Sequence, residues 1–356
     1  MYRILIIISG ILMLITACKK ESPGPVTTNT DTTQYIQGTS GVFIVNEGNY
    51  FGNNGSLSYI NFETNEISND IFQNKNHRTL GDVALTMQSI NKKAYIIVNN
   101  SAKIEVVDIE NMNSIATIFG FISPRHFIRV NSTKAYVSEL YSDSIKIVDL
   151  VSNQISGYIN IHRSSESMVI YGSNLFVANW SNYSKPSVNN DYVMIIDVLN
   201  DQLIDSIHVS KEPNSLIIDK NNKIWVLCSG GYDNSESPAL IRINPDSRTI
   251  EQTFVFSDIN SSPYNLSTNL AKDSLFFINN DIFSLSVSSL TLPISPIITS
   301  GSQNFYSIAI NPQNSQIFIS DALDYNQNGK IFIYSGSGNL VKTYTAGIIP
   351  GNVCFN

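Results

Sequence analysis

Apolar and polar residues alternate at period two through most of the chain, in short runs separated by Gly, Asn, Asp and Ser. One unit reads Ala94-Tyr95-Ile96-Ile97-Val98, then a polar gap, then Ile104-Glu105-Val106-Val107-Asp108. Such alternation predicts strands, because a helix would repeat its apolar residues every three or four positions. The unit recurs as Ala135-Tyr136-Val137-Ser138 with Ile145-Lys146-Ile147-Val148-Asp149, and as Leu175-Phe176-Val177-Ala178 with Tyr192-Val193-Met194-Ile195-Ile196-Asp197. With Phe43, Trp225, Phe276 and Phe318, the aromatic position occurs seven times at intervals of 40 to 52 residues. One four-stranded propeller blade takes about 40–50 residues. An opening strand precedes most units, as in Arg125-His126-Phe127-Ile128-Arg129-Val130, with Pro124, Pro213 and Pro263 at its start. The first unit, at Gly41-Val42-Phe43-Ile44-Val45, lacks one, and the chain ends on Pro350-Gly351-Asn352-Val353-Cys354-Phe355, an opening strand with no unit behind it. The expected fold is all-β: a seven-bladed β-propeller over residues 41–356, closed by the C-terminal strand, which completes the first blade and hides a sheet edge.

The N-terminus has a different pattern. Met1, Tyr2 and Arg3 precede an apolar run from Ile4 to Ile15, too short to span a bilayer as a permanent helix. It closes on Ile15-Thr16-Ala17-Cys18, which resembles the lipobox of bacterial lipoproteins. That resemblance implies a signal peptide over residues 1–17, acylation of Cys18 and a membrane held through the lipid anchor. An ordinary secretory peptide is the alternative. Residues 18–40 are rich in Ser, Thr, Pro, Gly and Asn. They hold too little apolar surface to offset their ordering entropy, and are expected to be a lipidated flexible tether.

Charge narrows the partners. The chain carries 29 acidic against 22 basic residues, a net −7, and loss of the signal peptide with Arg3 makes it one unit more negative. A nucleic-acid partner is not expected. Besides Cys18 only Cys228 and Cys354 occur, each in an apolar strand-like run, where they read as small buried hydrophobes.

The aromatic strand followed by an aliphatic strand ending in Asp resembles the YVTN-type surface-layer propeller repeat. More narrowly, Val45-Asn46-Glu47-Gly48-Asn49, Leu80-Gly81-Asp82-Val83 and Val98-Asn99-Asn100-Ser101-Ala102-Lys103 resemble a Bacteroidetes lipoprotein family that includes cobalamin-capturing propellers. That resemblance implies a cell-surface outer-membrane location, a small-molecule ligand such as cobalamin, and a TonB-dependent outer-membrane transporter as partner.

Binding chemistry is expected on the face built from the loops between second and third strands and from the connections between blades. Four of those loops are long, over residues 47–56, 180–191, 229–238 and 321–330, and they carry Asn49, Tyr50 and Phe51, Trp180 and Tyr183, Tyr232, and Tyr325. Rigid rings beside amide groups suit a large flat polar ligand, a corrinoid or a sugar chain, although rings that only pin their own loops are the competing reading. Asn46, Glu47, Asn99, Glu139, Asn179 and Asn279 end second strands on the same face, while Arg125, Asn214 and Tyr264 begin first strands near the channel. His77 and Arg78, on the long connection between blades one and two, complete the candidate ligand-binding set.

No cofactor and no catalytic residue are read from the sequence. Its four histidines, His77, His126, His162 and His208, fall in separate units with no metal-ligand spacing, and neither a nucleophile elbow nor a phosphate-binding glycine loop occurs. A propeller lyase or hydrolase that assembles its site from distant loops, and an adhesion or scaffold propeller, remain as alternatives. Asp324, Asn326 and Asn328 have the spacing of a calcium loop, but position twelve is Ser335 where such loops carry Glu; an Asn-Gly hairpin explains the segment better.

Overall fold

The computed structural model describes residues 40–181 and 190–355. Its strands form seven separate antiparallel sheets, six of four strands and one of three. In six of them the strands run in sequence order from channel to rim or the reverse, whereas the first reads Pro350–Phe355, Gly41–Asn46, Ser56–Asn61, Glu66–Ser68. The protein is thus a seven-bladed β-propeller whose C-terminal strand supplies the innermost strand of the first blade. Cys354 lies opposite Phe43 and Phe355 opposite Val42 across that seam.

The repeated aromatic anchor explains why the blades stack. Phe43, Tyr95, Tyr136, Phe176, Trp225, Phe276 and Phe318 all sit in second strands and are all buried. Where the anchor has a polar tip, the tip finds a partner: the Tyr95 hydroxyl donates to Asn153 Oδ1 (3.1 Å), the Tyr136 hydroxyl to Asp201, and the Trp225 indole N–H to Asp219 Oδ2 (2.8 Å). Asn153 and Asp201 lie in turns of the following blade, so two tyrosine anchors also act as clasps between blades. The residue closing each third strand has its own role. Asp149 Oδ1 accepts the N–H groups of Val151 and Ser152, and Asp197 Oδ1 that of Leu199, which caps the turn into the fourth strand.

Blade six departs from the pattern. Its sheet stops at the third strand, Asp281–Ser286, and residues 287–299 take the place of a fourth, touching the sheet where Ile282 bridges to Ile298. A groove of about 370 Å³ opens there, lined by Val255, Phe256, Phe277, Phe283 and Ile294 among others.

Candidate functional site

A β-bulge opens the innermost strand of the blades. The register shifts between Ala84 and Thr86, between Pro124 and Phe127, between Pro213 and Ser215, between Tyr264 and Ser267, between Phe305 and Ser307, and opposite Asn46 in the closing strand. Blade four has the same two-against-one pattern, since Ala178 accepts from the Glu166 N–H and donates to the Ser167 carbonyl, both at 2.9 Å. A bulge re-aims the extra residue out of the pleat. Aligning the innermost strands on their anchors sets Leu85, Arg125, Glu166, Asn214, Tyr264, Tyr306 and Gly351 in equivalent positions at the mouth of the central channel, although in blade six Tyr264 itself pairs with Ile278 and the extra residue follows it.

These positions and their neighbours are linked from blade to blade. Asn352 Oδ1 accepts the Met87 N–H (3.3 Å), Thr86 donates to the Arg125 carbonyl (2.9 Å), and Ser167 Oγ accepts the Leu216 N–H (3.1 Å). Asn214 donates to the Pro263 carbonyl (3.0 Å) and Tyr264 to the Phe305 carbonyl (2.6 Å). Between blades three and four stands a fork: Arg125 Nε meets Glu166 Oε2 at 2.7 Å and its Nη2 meets Oε1 at 2.9 Å. His126 Nε2 also lies 3.1 Å from Glu166 Oε1. Bidentate guanidinium–carboxylate pairs are among the stronger and more directional polar contacts. Burial would raise the Glu166 carboxyl, but Arg125 and His126 outweigh it and bring it down to about 2.

Blade one breaks the ring's regularity. Its position is Gly351, and the vacant side-chain space holds the carboxylate of Glu47, which follows the second strand. A Cβ on Gly351 would stand 2.4 Å from Glu47 Oε1, so a side chain there would displace the carboxylate. Tyr306 donates its hydroxyl to Glu47 Oε1 at 3.0 Å, joining blade seven to blade one. Burial pushes the Glu47 carboxyl up to about 7, against the lowering effect of that bond and of the Arg125 charge. The mouth therefore contains two carboxyls driven in opposite directions. Burial also pushes Tyr264 up to about 12, with Tyr325 adding to the effect, and raises Tyr306 well above the usual phenol range.

Several candidate residues converge on this mouth. The Arg125 guanidinium lies 5.4 Å from the centre of the Trp180 ring. Tyr325 packs edge-on against Tyr306 with ring centres 6.0 Å apart, and its carbonyl accepts from Asn49 Nδ2 at 2.6 Å, so the long inserts of blades one and seven meet. The Tyr50 and Phe51 rings meet at a tilt with centres 4.2 Å apart and are exposed, as is Tyr232. The Phe51 N–H donates to Asp82 Oδ2 (3.0 Å) and the Tyr232 N–H to Glu212 Oε1 (3.2 Å), which fixes the backbone while the rings face outward. Tyr183, together with residues 182–189, lies outside the described residues, as do Cys18, the signal peptide and the tether.

Other candidates are placed elsewhere. Arg78 Nη2 reaches Glu105 Oε1 (2.5 Å) and Ser114 (3.0 Å) on the outer strands of blade two, with its guanidinium over the Phe72 ring. His77 ends the short helix Ile71–Asn76, its N–H donating to the Gln73 carbonyl. Neither joins the channel residues. Asn99, Asn179 and Asn279, at the ends of second strands, bond to Ser123, Ser164 and Ser261 of the connections between blades, and Glu139 accepts the N–H groups of Ile122 and Ser123. They hold loops in place. Asp324 Oδ1 accepts the N–H groups of Asn326 and Gln327 and is held below the usual carboxylate range by them, while Asn328 is drawn into the strand Asn328–Tyr334. The segment is thus a capped turn feeding a strand. Among the described residues no group of three or more His, Cys, Asp or Glu side chains is arranged to hold a metal ion.

Sequence reasoning missed Glu166 and Tyr306. Both occupy the bulge position, but Ser165 and Phe305 stand where Pro124 and Pro213 mark the other strands, so the proline signal did not point to them.

Comparison with known proteins fits this architecture. A quinonprotein alcohol dehydrogenase-like protein from Bacteroides thetaiotaomicron superposes with a TM-score of 0.67 at 14% identity, over 89% of this chain and 78% of that one. Hydrazine synthase of Kuenenia stuttgartiensis gives 0.61 at 14% identity, over 88% and 98%. Apo AztD from Citrobacter koseri gives 0.56 at 12% identity, over 88% and 97%. At such identities the likeness is one of fold. No curated protein matches the sequence. The family of domains of unknown function DUF5074 matches residues 40–348, and the chain belongs to that family.

Proposed function

We propose that this protein is a surface-exposed, lipid-anchored outer-membrane protein that captures cobalamin or a related corrinoid at its channel mouth and delivers it to a TonB-dependent transporter. The observation that carries this reading is a contrast of chemistry: exposed aromatic rings at Tyr50, Phe51 and Tyr232, on loops that follow second strands, accompany a mouth of charged and hydroxyl groups at Arg125, Glu47 and Tyr306. A corrinoid has the matching form, an apolar ring edged by amide arms that donate and accept hydrogen bonds. The lipobox-like Ile15-Thr16-Ala17-Cys18 supports the anchor, and the resemblance to cobalamin-capturing lipoproteins supports the transporter partner.

Calorimetric titration of the full-length protein in detergent with cyanocobalamin tests the reading. Saturable binding is expected, weakened about 10- to 100-fold in Trp180→Ala and Tyr232→Ala with nearly unchanged melting, since truncating an aromatic anchor costs roughly 1–3 kcal/mol of affinity. Phe176→Ala, at a buried blade anchor, should instead lose about 3–5 kcal/mol of stability. A wild-type protein that takes up no cyanocobalamin refutes the corrinoid assignment.

A second reading, an enzyme, is favoured by one observation. Two carboxyls in one mouth, Glu47 near 7 and Glu166 near 2, form the kind of split pair that serves acid and base roles. Against it, both Glu166 oxygens are already engaged by Arg125 and His126.

A further inference from the structure

Among the described residues, charge in the channel mouth does not cancel. Arg125 and Glu166 neutralise each other in their bidentate pair, with His126 on the same carboxylate. Glu47 has no such counter-ion: among the described residues no Lys, Arg or His comes within ion-pair distance of it, and its bonded side-chain partner is a phenol, Tyr306. From the geometry we infer that the floor of the mouth binds an organic ammonium group, with the Glu47 carboxylate as its counter-ion and tyrosine rings beside it.

Three features point to that chemistry. Glu47 occupies the space a side chain on Gly351 would fill and is bonded from blade seven by Tyr306, so the carboxylate is positioned before any ligand arrives. Tyrosines gather on that side: Tyr306 bonds to it, Tyr325 packs on Tyr306, and Tyr264 lies near enough that a phenolate at Tyr325 would raise it. A carboxylate flanked by aromatic rings suits a cation with an apolar shell, which an ammonium on carbon has and a hydrated metal ion lacks. Anions are disfavoured by Glu47 itself, and a neutral ligand would leave a poorly solvated carboxylate without its complement. The groups that set the local field are Tyr306 and Tyr325 from blade seven, Tyr264 from blade six, and the Arg125–Glu166 pair with His126 from blades three and four; Arg125 alone acts against a bound cation, and Glu166 largely offsets it. The inference stands whether or not the rim takes a corrinoid.

Choline and its uncharged isostere 3,3-dimethylbutan-1-ol provide the test, titrated into the full-length protein by calorimetry at pH 8 and pH 5.5. Choline carries a permanent charge, so any pH dependence belongs to the protein. Glu47 is ionised above about 7 and protonated below it. Choline affinity should therefore fall as pH drops through 7, approaching tenfold per unit, with the isostere at least tenfold weaker at pH 8. Glu47→Gln should cost choline tenfold or more at pH 8 and abolish the pH dependence, while a thermal melt confirms that the variant is folded. Equal binding of the isostere, unchanged choline binding by folded Glu47→Gln, or no saturable choline binding by wild type at pH 8 would each overturn the inference. A cyanocobalamin titration of the same samples keeps the two proposals apart, because loss of choline binding with corrinoid binding intact refutes the ammonium site alone.

Discussion

Removal of residues 350–356 should unfold the propeller rather than trim it. The strand Pro350–Phe355 pairs with Gly41–Asn46, a strand buried at every position, and deletion would leave that strand's ladder groups without partners. Roughly four or five ladder hydrogen bonds at a net ~1 kcal/mol each are lost. Half-buried Val353, Cys354 and Phe355 go with them, adding about 1 kcal/mol apiece at half the value for full burial. The sum, about 7 kcal/mol, is comparable with the whole stability of a typical domain, about 5–15 kcal/mol. It also counts only blade one. The same strand reaches both neighbours, since Phe355 packs edge-on against Phe318 of blade seven and Asn352 accepts the Met87 N–H of blade two. Melting followed by circular dichroism should show a loss of more than about 10 °C, or no cooperative transition at all. A truncated protein that melts within a degree or two of wild type would mean that the ring is closed by something other than this strand.

Two further outcomes are expected. Glu166 is held near 2 in the fold against an ordinary 4.5, so its contribution is fully present above pH 4.5 and is lost as pH falls toward 2; Glu166→Gln should cost on the order of 2–3 kcal/mol at pH 7 and flatten the acid limb of the stability profile, and denaturation curves that stay parallel to wild type between pH 7 and 3 would refute the assignment. Cys18→Ala should move the protein from the membrane to the soluble fraction of a detergent-free lysate without changing its melting temperature, and persistence in the membrane pellet would count against the lipobox.

The fold was legible because its determinants are local and repeated. The aromatic anchor meets the same surroundings in every blade, the face of the next sheet, and so keeps one residue class from Phe43 to Phe318. The strand-ending Asp or Asn is equally local, capping a turn two residues away, as Asn61 does for Glu63 and Thr64. The site was legible only in part. Long inserts with rings can be seen in any sequence, and Arg125 was visible beside Pro124, but the partners of Arg125 and Glu47 lie 41 and 259 residues away. No periodicity encodes those pairings. Arg78 shows the reverse error: a cation on a long connection looks available for a ligand, whereas packing gives it to buried Glu105.

One slot of the repeat separates structure from function without any comparison between proteins. The seven equivalent positions hold Leu85, Arg125, Glu166, Asn214, Tyr264, Tyr306 and Gly351, six residue types with only tyrosine occurring twice, although a bulge recurs at the start of each innermost strand. A position whose neighbours are the fold converges on one kind of side chain, as the anchors do. A position whose neighbours are the channel is free to differ, and differences there are what an asymmetric ligand requires of a ring with near sevenfold symmetry. Gly351 is the extreme case. By having no side chain it leaves room for Glu47, which follows the neighbouring strand Gly41–Asn46, and the mouth gains an acid from outside the bulge position. The asymmetry of the site therefore comes from side chains laid on a repeating backbone, with the Glu47 carboxylate at its most asymmetric point.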